Sequence, residues 1–309
     1  MRTLVVGAGA TGGYFGGRLA EAGRDVTFLA RPLRAARIRT EGLTVHSPHG
    51  HVRLTPKVVT SAELTDQYDV VLFSVKAYDL DRAIADLGPA VGPRTVIVPL
   101  LNGVRHVERL MARFGNRHVA GGVCLVTTTL DADGRILQLN ERQEIRYGVW
   151  DPSDPPALEA VPAALGDAGF TVGRSPAIRQ EMWEKWVYVA AVGAVTCLMR
   201  GVAGDVAAAP GGRRFAERVV AECAAAATAC GHRPGPAALA ALRATVTDPG
   251  SEAASSLYRD LCRGAPVETD HLLGDLVARA ARHGVETPLL ELAHLHLRVH
   301  QQRLASVDH

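Results

Sequence analysis

The stretch Gly7-Ala8-Gly9-Ala10-Thr11-Gly12 limits what this chain can fold into more than any other. It is a GxGxxG pattern that follows the apolar run "RTLVV" and opens a run of helical spacing. In that position the first glycine permits a tight turn and the second lets a pyrophosphate approach the backbone. The third lets the helix lie close to the strand. The amide groups at the start of that helix face the phosphates. The expectation is a dinucleotide cradle made of Gly7, Ala8, Gly9, Ala10, Thr11 and Gly12.

The rest of the first half agrees. "RTLVVGA", "DVTFLAR", "DVVLFSVKA" and "TVIVPLLNG" are near-continuous apolar runs, as expected of parallel strands covered on both faces. "GGYFGGRLAEAG" and "DLDRAIADLGPAV" carry helical spacing between them. This βαβ alternation predicts a Rossmann-type, doubly wound α/β domain. "GLTVHSPHGHVRLTP" reads as an inserted hairpin, and "VCLVTTTLDADGRILQLN" as a second with Asp133-Gly134 at its turn. "QEIRYGVW" reads as a further strand, and a proline-rich segment leads to one more helix and strand. From Ile178 onward the periodicities are long and helical, broken at "GVAGD", "GHRPGP" and "TDPGSEAAS". The chain therefore divides into an α/β domain over 1–174 and an all-α domain over 175–309.

Composition excludes several classes. The 309 residues carry a net charge of +2, too little to argue for nucleic acid, and no basic run is interleaved with aromatics. The apolar run from Val187 to Met199 is too short to span a bilayer, and the opening residues lack a signal-peptide layout. The five cysteines (Cys124, Cys197, Cys223, Cys230, Cys262) form no CxxC pair and read as reduced thiols of a cytoplasmic protein. His294, His296 and His300 include an i, i+4 pair but no matching carboxylates, and a solvated helix face is the simpler reading. The same holds for the histidines of "HSPHGH". No metal site is expected.

The second strand run ends in "TFLARP". A site built for NAD usually places an acidic residue there to hold the ribose 2′-hydroxyl. This chain places Arg31 there, with Arg34 one turn on, while Asp25 lies at the strand's other end. A guanidinium suits a dianionic 2′-phosphate, so the expected cofactor is NADP(H). The alternative, solvated arginines at a helix entry, suits Arg34 better than Arg31.

One apolar stretch stands out. In "EMWEKWVYVAAVGAVTC", Lys185 sits between Trp183 and Trp186, with no further charge before Arg200. An ammonium there either snorkels to water or lies in a cleft for a reason. Other stretches favour the cleft. "SVKAYDL" puts Lys76 past the third parallel strand, and "PLLNGV" puts Asn102 past the next, at the strand ends where ligands of such sheets lie. "SSLYRDLCRGAPVETDHLLG" follows near the end.

Together these motifs resemble the ketopantoate reductases (2-dehydropantoate 2-reductases), and the resemblance spans nearly the whole chain. It implies a C-terminal domain of the 6-phosphogluconate dehydrogenase C-terminal-like type. It also implies NADPH-dependent reduction of a 2-oxo acid to a 2-hydroxy acid, with 2-dehydropantoate the default substrate, in pantothenate biosynthesis. Lys185 matches the family's general acid and Glu268 the acidic residue beside it. Ser256 matches a serine that binds the substrate carboxylate. Asn102 matches the asparagine between cofactor and substrate, and Lys76 a lysine beside the nicotinamide ribose. Burial among aromatics works against the charged lysine, and a nearby glutamate works for it.

The pattern departs from the family on one helix face. Lys185, Val189, Val192, Gly193 and Thr196 share that face by spacing. The family typically carries asparagines one and two turns after the lysine, where this chain has Val189 and Gly193. A pocket without those partners loses selection for a polar tail, so a bulkier or less polar ketone becomes a rival substrate, with extra room expected at Gly193. A non-catalytic NADP(H) sensor is the reading from another class. It would need only the glycine turn and Arg31, not Lys185, Glu268, Ser256 and Asn102 as well. The helical half offers surface for a homodimer, though no pattern compels one.

Overall fold

Short β-branched runs separated by helices place the first five sheet positions in register. In the computed structural model, which describes residues 1–307, β1 (Arg2–Val6) pairs in parallel with β2 (Asp25–Leu29). The next strands along the chain are β3 (Leu43–His46), β4 (Val52–Leu54), β5 (Lys57–Val59), β6 (Tyr68–Phe73) and β7 (Val91–Pro99). Five of these form a parallel sheet in the order β5-β2-β1-β6-β7. The central strands are buried along nearly their whole length, which accounts for their unbroken apolar sequences.

The helices of this half are α1 (Ala10–Glu21), α2 (Pro32–Glu41), α3 (Leu80–Asp86), α4 (Arg105–Phe114) and α5 (Ala160–Leu165). Helix α1 lies close to its neighbours because of its glycines. A Cβ on Gly16 would stand 2.5 Å from Phe28 of the parallel sheet, and one on Gly13 would stand 2.5 Å from Ile136. One helix thus joins two sheets.

The second of those sheets has the order β4-β3-β10-β9, where β9 is Thr128–Leu130 and β10 is Ile136–Gln138. The run expected to form one hairpin from Val123 to Asn140 is divided here. Its early part belongs to β8 (Ala120–Leu125), which pairs with β11 (Glu144–Val149) in a third sheet closed by β12 (Thr171–Arg174). Only β9 and β10 make the hairpin, with Gly134 at φ +65° in its turn. The amide of Thr127 donates to the Asn140 side chain at 3.0 Å and the Thr127 carbonyl accepts from Leu139 at 2.8 Å, so the chain changes sheets just before β9.

The described residues form two compact units, divided between Arg179 and Gln180. The second holds almost all of α6 (Ile178–Met199), then α7 (Ala203–Ala208), α8 (Gly212–Ala229), α9 (Pro236–Thr247), α10 (Ser256–Cys262), α11 (Asp275–Arg282) and α12 (Pro288–Val307). Helix α6 is buried around most of its circumference, as its sequence requires. The break expected at "GVAGD" is confined to Arg200–Val202, because Ala203 already begins α7. Arg200 takes φ +57°, and its carbonyl accepts from the Tyr258 hydroxyl at 3.0 Å. No helix among the described residues is long and apolar enough to cross a membrane.

Candidate active site

The glycine turn leaves the carboxyl end of β1 with Gly7 at φ +96°. A Cβ on Gly7 would meet the Ser74 carbonyl at 2.5 Å, and one on Gly12 would meet the Gly7 carbonyl at 2.2 Å. Both positions are therefore closed to any side chain. Gly9 is different. A Cβ there would find no atom within 4 Å, so its face opens onto free space. Gly9 also caps α1 without a side-chain bond, and the first turn of that helix has no acidic residue. A rigid turn, an open backbone face and a helix start clear of negative charge fit a dinucleotide pyrophosphate.

Arg31 and Arg34 differ in burial, and it is Arg34 that is the more enclosed. Arg31 caps α2 and is exposed, with Nη1 3.5 Å from Asp79 Oδ1. Arg34 is the half-buried one: its Nε donates to the Ala8 carbonyl at 3.0 Å and its Nη1 to the Gly134 carbonyl at 3.1 Å. Burial, with Arg37 nearby, pushes the Arg34 guanidinium below its ordinary value. The reason is position. Arg31 stands ahead of Pro32, outside the helix, whereas Arg34 lies in its first turn and reaches back over the glycine loop.

Lys76 and Asn102 follow β6 and β7 at the same edge of the sheet. Lys76 precedes a 3-10 turn over Ala77–Asp79, and Asn102 is half-buried next to Gly103 at φ +77°. Parallel pairing brings the glycine turn, Arg31, Lys76 and Asn102 to one end of the strands.

The remaining site residues lie in the helical unit. Lys185, Val189 and Glu268 are half-buried, and Gly193 is buried. The two tryptophans that flank Lys185 in the chain, Trp183 and Trp186, pack together. Being three residues apart they share a face, with their rings 4.9 Å from each other, and Arg279 lies 5.9 Å over Trp183 and 5.7 Å over Trp186. Trp183 also stacks on His232 at 4.6 Å. Lys185 projects roughly 100° around the helix from Trp186. A ladder links the lysine's neighbour to the glutamate: Trp186 Nε1 donates to the Leu272 carbonyl at 2.9 Å, and the Leu272 amide donates to the Glu268 carbonyl at 3.0 Å. Leu272 sits in a π-helical turn over Asp270–Gly274, which starts two residues after Glu268.

The lysine's face of α6 meets the start of α10. A Cβ on Gly193 would lie 3.0 Å from Leu257 Cδ1 and 3.8 Å from Ser255 Oγ. The extra room expected at Gly193 is therefore taken up by Leu257, because the glycine lets α10 pack closer. Ser255 caps α10 by accepting from the Tyr258 amide at 3.0 Å, and its hydroxyl is 3.3 Å from Thr196 Oγ1. Ser256, the serine singled out in the sequence, is the next residue and half-buried. The sequence reading missed Ser255, although a serine preceding a helical run is a recognisable cap. Leu257 and Asp79 were also missed, and nothing in their local sequence points to their contacts.

Three other residues have structural work. Glu222 accepts from the amides of Leu289 and Leu290 at 2.9 and 3.0 Å and so caps α12, while burial raises its carboxyl above the ordinary range. His294 Nε2 lies 2.7 Å from Asp270 Oδ1, and His300 Nε2 lies 2.9 Å from the Ala265 carbonyl.

A Rossmann-type sheet with this glycine turn, followed by an all-α unit, defines a class of two-part oxidoreductase. Residues 3–152 match the family model described as Ketopantoate reductase PanE/ApbA, and 177–301 match its C-terminal counterpart. The chain belongs to the ketopantoate reductase family, and within it is an oxidoreductase. It is 35% identical over 301 residues to the uncharacterized oxidoreductase YkpB of Bacillus subtilis (97% of this chain, 99% of that one). It is 32% identical over 288 residues to the 2-dehydropantoate 2-reductase of Caulobacter vibrioides (92% and 93%). The crystal structure of a PanE/ApbA family ketopantoate reductase from Ralstonia eutropha is similar at a TM-score of 0.87 and 27% identity, covering 99% and 100% of the two chains.

Proposed function

We propose that the protein reduces a 2-oxo acid to a 2-hydroxy acid with NADPH, with 2-dehydropantoate to pantoate as the default reaction. The observation that carries this reading is a glycine turn closed to side chains at Gly7 and Gly12 yet open at Gly9, in a chain of this family. Gly7, Ala8, Gly9, Ala10, Thr11 and Gly12 hold the pyrophosphate, Arg31 the 2′-phosphate, and Lys76 the nicotinamide ribose. When bound, the reduced nicotinamide supplies a hydride to the substrate's carbonyl carbon.

The chain's own residues do the rest. Lys185 gives a proton from its ammonium to the carbonyl oxygen as charge builds there, and regains one from solvent afterwards. Glu268 orients that ammonium. Ser256 donates its hydroxyl to the substrate carboxylate, and Asn102 positions the carbonyl with its side-chain amide. The protein acts as a cytoplasmic enzyme.

A second reading concerns the substrate's tail. Val189 and Leu257 put hydrocarbon along the lysine's face of α6, and Gly193 brings no hydrogen-bonding group. This supports a less polar tail, though not a bulkier one at Gly193. Each missing hydrogen bond to a hydroxyl is worth roughly 0.5–1.5 kcal/mol, so discrimination against an analogue lacking it falls by about one or two decades. The test compares kcat/KM for ketopantoate and for trimethylpyruvate, which lacks the hydroxyl, by following NADPH consumption. We expect the two values to lie within about tenfold of each other. A preference for ketopantoate above roughly a thousandfold removes the apolar-tail reading. Failure to turn over any 2-oxo acid removes the reductase reading itself. Val189→Asn should improve ketopantoate relative to trimethylpyruvate by about fivefold, read as a fall in KM, by restoring one hydrogen bond.

A further inference from the structure

The carboxylate seated on Arg31 has no part in the reading above. Arg31 leaves the end of β2 and Asp79 the turn after β6, and in the sheet order these strands flank β1. The pair therefore spans the end of β1, where the glycine turn begins. Arg31 Nη1 stands 3.5 Å from Asp79 Oδ1, with the arginine 66% exposed and the aspartate 27%. Asp79 is the one carboxylate in ion-pair range of Arg31 among the described residues. It is also held in place, since its amide donates to the Lys76 carbonyl at 2.9 Å and closes the 3-10 turn. The anchored partner is the acid; the exposed one is the arginine.

A 2′-phosphate dianion and a carboxylate want the same guanidinium edge. Where both approach, the carboxylate occupies part of the fork and also repels the phosphate across a few ångströms of partly exposed surface. A nucleotide carrying only a 2′-hydroxyl meets neither cost. We propose that Asp79 sets cofactor choice: its carboxylate, paired with Arg31 across the end of β1, competes with the 2′-phosphate and keeps the preference for NADPH over NADH modest. This rests on the reading of Arg31 as the 2′-phosphate contact. Asp79 is a specificity residue, not a catalytic one, since the adenosine end lies away from the reacting carbon.

The test is equilibrium binding of NADPH and of NADH to the intact protein, followed by nucleotide fluorescence at low salt. It uses the wild type, Asp79→Asn and the double variant Arg31→Met with Asp79→Asn. Asparagine keeps the size and removes the charge. The ratio of the NADH to the NADPH dissociation constant should rise about tenfold in Asp79→Asn, and the rise should shrink in 0.5 M salt as screening predicts. The double variant should lose that gain, because the effect passes through Arg31. A ratio that stays within twofold of the wild type, or falls, overturns the proposal, as does a gain that survives loss of Arg31. The cofactor reading fails separately. If the wild type binds NADH alone and Asp79→Asn acquires NADPH binding, the NADP(H) assignment falls while Asp79 stands. Binding of neither nucleotide overturns both.

Discussion

Lys185→Ala should lower kcat by roughly two to four orders of magnitude with NADPH binding retained, the span that a positioned general acid contributes. The lysine is half-buried on α6, which carries no further charge from Trp186 to its end at Met199. Alanine is a strong helix former at that place, so the helix itself tolerates the change. The loss thus reports on chemistry and not on folding. Lys185→Arg should not restore the rate, because a guanidinium does not give up its proton in this range. Single-turnover reduction with saturating NADPH, set beside nucleotide binding to the same variant, is the measurement. Turnover within tenfold of the wild type would remove Lys185 as the acid. Tight NADPH binding by a wild-type protein with no turnover on any ketone would favour a sensor.

The second large effect separates two glycines three residues apart. Gly12→Ala puts a methyl group 2.2 Å from the Gly7 carbonyl, a backbone atom that cannot rotate away. Forcing the helix off the turn costs about 1–3 kcal/mol, enough to lower Tm by several degrees and to weaken NADPH binding by tens-fold. Gly9→Ala meets no protein atom within 4 Å, so its Tm should hardly move. Its NADPH affinity should still fall by about tenfold or more, since the added methyl lies where the pyrophosphate approaches. Thermal unfolding and nucleotide titration on both variants check the contrast. If Gly9→Ala binds NADPH like the wild type, the cradle assignment fails.

These expectations show which parts of the molecule were legible in the sequence. The parallel strands and the glycine turn were readable because local pattern carries them: unbroken apolar runs, then glycines at fixed spacing. The long helices of the second unit were readable for the same reason. What escaped depends on residues far apart in the chain. Whether Arg31 or Arg34 would be half-buried turns on Gly134, a hundred positions from Arg34. The partner of Arg31 arrives from a turn after another strand. The division of Val123 to Asn140 between two sheets hinges on a side-chain amide from Asn140. The filled space at Gly193 comes from Leu257, on a different helix. Periodicity says which face of a helix is apolar, but not which side chain from elsewhere comes to lie on it.

The short turn joining β9 to β10 has the look of a surface feature whose length could drift freely. It is not one. Arg34 grips the Ala8 carbonyl with one nitrogen and the Gly134 carbonyl with another, and Arg37 donates to the neighbouring carbonyl of Asp133. An insertion at the hairpin tip would pull those oxygens off both arginines and slacken the first turn of the chain from a place remote in sequence. Homologues should therefore keep this tip at constant length even where its residues vary, and an epitope tag placed there should disturb nucleotide binding more than one placed at Gly50.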